Sequence, residues 1–123
     1  TDVTGFGLLG HLMEVCKGSG VQARVEFSAL PLLGRAREFA DDGYVTGASG
    51  RNWASYGQDV QLADGLGDVE KALLTDPQTS GGLLVSCAPD TVTEVLSIFL
   101  QQGFSHVSVI GEIVEGDPAI AVS

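Results

Sequence analysis

The sequence is poor in positive charge and in sulfur. Six lysines and arginines stand against sixteen aspartates and glutamates in 123 residues, a formal net charge of −10. No basic patch can be assembled from so few cations, which excludes extended contact with nucleic-acid phosphate or with anionic lipid. The acids run from Asp2 to Asp117 without a long block, as solvated surface groups do. The two cysteines, Cys16 and Cys87, lie in apolar company without metal-ligand spacing, so neither a zinc site nor a disulfide framework is indicated and buried free thiols are expected. Also missing are an apolar run of about 18 residues, a signal peptide and a lipidation motif, and the expectation is a soluble, cytoplasmic protein with no membrane contact.

What is present is ordinary globular material, 44% hydrophobic and 18% charged. One domain over residues 1–123 is the natural count, and a chain of this size buries roughly two thirds of its unfolded surface. Apolar residues recur at helical spacing from Phe6 to Cys16, with Thr4 or Asp2 available as cap and Gly18 and Gly20 as stop. Val21 to Phe27 alternates as a half-buried strand. A second helix is expected from an N-cap at Ser28, through Pro31, Leu33 and Phe39, to Gly43.

Residues 46–67 mix Gly, Ser, Asn, Asp and Gln and read as a long loop with a short helix near Trp53, followed by a helix from Asp68 to Leu74. Leu83 to Cys87 reads as a buried strand. Thr91 and Glu94 have capping-box spacing ahead of a helix with the stripe Val92, Val95, Leu96, Phe99 and Leu100, closed by Gly103. Strands are expected over Ser105 to Val114, with a bulge at Gly111, and over Ala119 to Val122. This order predicts an α+β fold, an α/β sandwich in which helices pack on a mixed β-sheet, related to the ferredoxin-like split βαβ arrangement.

Three segments carry possible chemistry. Thr1-Asp2-Val3-Thr4-Gly5-Phe6-Gly7 sets a carboxylate, two hydroxyls and two glycines at a helix start. Such a start can hold phosphate and its Mg²⁺, and equally the same residues can serve only as caps and packing. Asp76-Pro77-Gln78-Thr79-Ser80-Gly81-Gly82 offers hydroxyls and bare amides on entry to a strand, as a ligand cradle or as a tight connection. It meets neither the P-loop nor the dinucleotide pattern. The third is Gly47 to Gly57, where Arg51 can pair with phosphate or an acidic partner domain, or equally be a lone surface arginine beside a core-anchored Trp53, and Asn52 can donate or accept. His11 and His106 have no ligand-spaced partners and read as structural or surface histidines.

Together these segments resemble the signatures of the selenophosphate synthetase family. Thr1 to Leu12 is similar to the sequence that opens the C-terminal half of that family, Asp76 to Leu84 resembles its second signature, and Arg51-Asn52 with Ala54-Ser55-Tyr56-Gly57 a third. Gly47-Ala48-Ser49-Gly50 departs from the Gly-Gly-Thr type of sequence expected there. The plan is shared with aminoimidazole ribonucleotide synthetase, thiamine-monophosphate kinase and a hydrogenase-maturation protein. The resemblance implies the C-terminal domain of an enzyme that uses ATP and water, with Mg²⁺, to convert selenide to selenophosphate, AMP and phosphate. It implies Asp2 as a metal ligand, with Thr1, Thr4, Gly5, Gly7, Asn52, Thr79, Ser80, Gly81 and Gly82 toward the nucleotide, and no catalytic residue in this chain.

A chain that opens at Thr1-Asp2-Val3, inside a motif, reads as a fragment. Its reactive Cys or selenocysteine, adjacent Lys and most metal-binding aspartates are then expected in a missing N-terminal domain, which is also expected to make most of a homodimer contact. The fragment alone is expected to be inactive and to expose apolar surface along its first helix. The alternatives are another ATP-dependent member of the same superfamily and a non-catalytic interaction module.

Overall fold

The computed structural model describes residues 1–123. The first helix, α1 (Gly7–Ser19), buries Leu9, Leu12, Met13 and Cys16, the i, i+3, i+4, i+7 stripe that its sequence shows. Gly20 ends it in the left-handed conformation at φ 65°, its N–H donating to the Cys16 carbonyl. The start differs from expectation. Phe6 occupies the cap position and no side chain caps the helix, because Thr4 bonds to His11 and Asp2 lies further back in an extended bridge.

Four strands follow: β1 (Val21–Val25), β2 (Val60–Leu62), β3 (Gly111–Glu115) and β4 (Ala119–Val122). They form one mixed sheet in the order β2-β4-β1-β3, with β4 parallel to β1 and β2, and β3 antiparallel to β1. Ala23 pairs with Ile120 and Val25 with Val122, so the period of two puts all four on one face. There they meet Leu9, Leu12, Met13 and Cys16 of α1, together with Tyr56 and Leu74, in the core. Each fully buried member such as Leu9, Leu74 or Ile120 contributes on the order of 1.5–3 kcal/mol. The opposite face carries the exposed residues Gln61, Arg24 and Glu112, the last two in an ion pair at 3.3 Å. A mixed sheet packed with helices is the α+β architecture expected.

Several elements differ from the sequence reading. The second helix, α2, is only Ala36–Asp41, while Ser28 sits in a 3₁₀ turn (Phe27–Ala29) and bonds Glu26 instead of capping. The expected loop contains α3 (Gly47–Tyr56), capped by the Thr46 hydroxyl accepting from the Ser49 amide, and also β2. Helix α4 (Asp68–Thr75) is where it was expected.

Leu83 to Cys87 is not a strand. Its only ladder contact is the isolated bridge between Leu83 and Asp2; Leu83 and Val85 are exposed, and so is the Cys87 thiol expected to be buried. Cys16 is buried, which pushes its thiol pKa up. Helix α5 (Val92–Gln101) forms but has no capping box, Thr91 donating to the Ala88 carbonyl, and none of its residues is buried. The strand expected from Ser105 begins only at Gly111, which pairs with Val25 where a β-carbon would lie 2.0 Å from the Arg24 carbonyl oxygen. Close approach, not a bulge, is what requires glycine there. Exposed apolar surface therefore lies on Phe6, along residues 32–45 and along residues 83–113, while α1 buries its own stripe.

Candidate functional site

The first and second motifs lie side by side. Asp2 and Leu83 form an antiparallel bridge, the Val3 amide donates to Gly82, and Thr1 and Leu84 exchange both of their backbone bonds, all three at 2.9 Å. The Thr4 carbonyl accepts from Gln78 at 3.0 Å and from Gly7 at 3.1 Å. Val3 is buried, while Asp2 and Thr4 on either side of it are exposed, with the Thr4 hydroxyl bonded to the buried His11 ring.

Glycine is needed at two contacts. Gly7 has φ +69°, and a β-carbon on it would lie 2.7 Å from the Thr75 carbonyl carbon. At Gly81 the added atom would be 1.9 Å from the Val3 carbonyl oxygen. Gly5 and Gly82, by contrast, face open space.

The third motif ties the first two together. Asn52 Nδ2 donates to the Gly5 carbonyl at 2.9 Å and to the Thr75 carbonyl at 3.0 Å. Tyr56 donates its phenol to the Phe6 carbonyl at 2.7 Å, and Ser49 shares a hydrogen bond with the Thr75 hydroxyl. Burial pushes the Tyr56 pKa up to about 12, with a smaller opposing pull from the Gly10 backbone. Asp76, half-buried at the end of α4, is pushed upward by desolvation as well.

The resemblance-based site residues thus fall into two groups. Thr1, Asp2, Thr4, Gly5, Thr79, Ser80, Gly81 and Gly82 are exposed on the paired loops. Gly7 and Asn52 are buried in the framework behind them, where the Asn52 amide group is spent on two carbonyls. Among the six lysines and arginines Arg51 alone has no carboxylate partner, and it is exposed. No cluster of three or more His, Cys, Asp or Glu suited to a metal is present. Ser49, Tyr56, Thr75 and the Thr4–His11 bond were missed in the sequence. Positions 49, 52 and 56 share a helix face at i, i+3, i+7, a signal hidden when the segment is read as a loop.

The family model for "AIR synthase related protein, C-terminal domain" matches residues 1–122. The chain belongs to this family. Curated relatives named "Selenide, water dikinase" match it over nearly all its length: 70% identity over 122 residues in Dechloromonas aromatica, 58% over 123 in Burkholderia ambifaria and 47% over 122 in Rhizobium meliloti. These alignments cover 99%, 100% and 99% of the chain and 35% of each relative. The chain therefore spans about a third of the length of the curated relatives it matches. As a C-terminal domain of this family, it carries in its three paired and stitched motifs the segments singled out in the sequence.

Proposed function

We propose that this chain is the C-terminal domain of a selenide, water dikinase, an ATP-dependent phosphotransferase that makes selenophosphate from selenide, with AMP and phosphate as the other products. The observation that carries the reading is that the first two motifs pair at one exposed edge and the third is stitched to them from behind by Asn52, in a chain 70% identical to a relative of that name. In this reading residues 1–123 are one domain, and an N-terminal domain supplies the catalytic residues and the rest of the cleft. ATP and selenide are the substrates, the full enzyme is a cytoplasmic homodimer, and the isolated domain is inactive.

The residues present fit a shared Mg²⁺ site. The Asp2 carboxylate is exposed on the loop edge and takes part in none of the chain's ion pairs. Mg²⁺ characteristically keeps several waters and is held by one or two protein carboxylates plus substrate phosphates, so one free carboxylate on this wall suffices. Bound there, such an ion would supply neutralisation of phosphate charge. Asp2 would hold it, while the Thr1, Thr4, Thr79 and Ser80 hydroxyls and the open backbone at Gly5 and Gly82 would face the nucleotide. Arg51 offers a guanidinium to phosphate or to the partner domain.

The test is selenide-dependent AMP formation by the longer protein containing this chain. Activity in the native protein, with a loss of at least tenfold in Asp2→Ala at unchanged thermal stability, is the expected result. A full-length protein that makes no AMP from ATP and selenide would overturn the assignment, and an undiminished variant would remove Asp2 from the metal site.

A further inference from the structure

His11 is nine-tenths buried and sits against the exposed Thr4. Its Nε2 lies 2.9 Å from the Thr4 hydroxyl oxygen, at hydrogen-bonding distance. On the other side of the ring Nδ1 makes no hydrogen bond, and the Glu14 carboxylate lies 3.3 Å away from it, one helical turn along α1. The order is carboxylate, imidazole, hydroxyl, across residues 14, 11 and 4.

This order decides what Thr4 offers to a ligand. A neutral imidazole carries one N–H, and the other nitrogen accepts. A buried N–H is better placed beside a carboxylate than a bare nitrogen lone pair is, because the lone pair and the carboxylate repel. Glu14 therefore favours the proton on Nδ1, which leaves Nε2 as the acceptor of the Thr4 hydroxyl hydrogen. With its only hydrogen spent inward, the Thr4 oxygen presents lone pairs alone to the groove. Asp2 and Thr4 are the exposed residues flanking the buried Val3, and with the Asp2 carboxylate two residues back the Thr4 oxygen completes an acceptor pair. Such a pair suits a cation or its coordinated water, and not a phosphate oxygen. With the opposite tautomer the Thr4 hydrogen would be free and would suit phosphate.

We infer that His11 is a positioning residue, held in the Nδ1–H tautomer by Glu14, that turns Thr4 into an acceptor for the hydrated metal ion at Asp2. The inference deepens the metal reading of Asp2 and rests on it. It also assigns Thr4 to the ion in place of the nucleotide, and gives a role to a histidine that the spacing of the sequence marks only as structural or surface.

Two measurements on the 123-residue chain test it without recourse to enzymatic turnover. Ring ¹⁵N spectra of His11 are expected to show a protonated Nδ1 and an unprotonated Nε2, with the Nε2–H form gaining population in Glu14→Gln. Titration with Mn²⁺ is expected to broaden the backbone resonances of Asp2 and Thr4. That effect should need at least threefold more Mn²⁺ in His11→Leu and return toward native in His11→Gln, whose amide oxygen can accept the Thr4 hydrogen; the same spectra report whether each variant is folded. An Nε2–H tautomer, or unchanged broadening in a folded His11→Leu, overturns this inference and leaves the metal reading standing. A native chain in which Mn²⁺, added together with ATP to supply the phosphates, never touches Asp2 overturns both.

Discussion

Gly81 lies so close to Val3 that a β-carbon on it would come within 1.9 Å of the Val3 carbonyl oxygen. The same β-carbon would be 2.9 Å from the Val3 carbonyl carbon, and these are backbone atoms that cannot swing aside as the Gln78 side-chain end, also at 2.9 Å, can. The two loops can lie side by side only because one of them has no side chain there.

Gly81→Ala is therefore expected to push the loops apart and weaken the adjoining bond from the Val3 amide to Gly82. The cost should be about 1–3 kcal/mol, the range for forced overpacking. Gly82→Ala is the control, since nothing lies within 4 Å of its added atom, and it should stay within about 0.5 kcal/mol of native. Urea unfolding of both variants measures the contrast, and equal stabilities would refute the steric argument.

How much of this was legible beforehand depended on whether the signal was local. Helix α1 was readable because its apolar stripe and its Gly20 stop lie within one segment, and β1 because Ala23 and Val25 alternate with exposed residues. Helix α3 was not, since Gly47, Ser49, Gly50 and Ser55 are weak helix formers and its stability comes from tertiary bonds made by Ser49, Asn52 and Tyr56. The apolar run from Leu83 failed in the other direction. Its composition suits a strand, but its pairing ends with the Leu83–Asp2 bridge and the Leu84–Thr1 bonds, and composition does not say whether a partner exists. At the site, the motifs themselves were visible and their contacts were not, because Asn52 reaches Gly5 across 47 residues of sequence.

Asn52 should be the most sensitive polar residue of the framework. Its amide nitrogen satisfies carbonyls on both the first motif and the end of α4. Asn52→Ala is expected to cost about 1–3 kcal/mol, the penalty for leaving buried groups unpaired. Asn52→Asp should cost more despite its similar shape, because it turns a carboxylate toward two carbonyl oxygens. Denaturant midpoints of the two variants check the order, and a stable Asn52→Asp would show that the amide is not the stitch.

Tyr56 makes its single phenol bond to the Phe6 carbonyl, so Tyr56→Phe should lose about 1 kcal/mol while keeping the ring packed against Gly10. The pH dependence has a definite sign. The folded-state pKa, about 12, is raised above the ordinary 10.0, so this contribution is present below pH 10.0 and is lost as pH rises through about 12. Ultraviolet titration should show a late-ionising phenol in the native chain that is absent from Tyr56→Phe.

Glu70 and Arg37 provide the acid-side counterpart. Glu70 on α4 accepts from the Gly67 amide at 2.8 Å through Oε2, while Oε1 pairs with Arg37 of α2, so one carboxylate holds the α4 start and joins two helices. The Gly67 amide, the residue's own amide and, more weakly, Arg37 pull its pKa below the ordinary value of 4.5, against an opposing desolvation. A carboxyl whose folded-state pKa is depressed stabilises the protein above its unfolded pKa, and that stabilisation is lost as pH falls through the folded value. Native stability should therefore decline on acidification below 4.5. Glu70→Gln should unfold at lower urea than native near neutrality, since it gives up the charge-assisted bonds, and the gap should close as the pH falls because native Glu70 then becomes neutral too. Urea midpoints of both proteins across the acid range read this directly. A gap that stays constant down to full protonation would mean that shape, and not charge, is what Glu70 contributes.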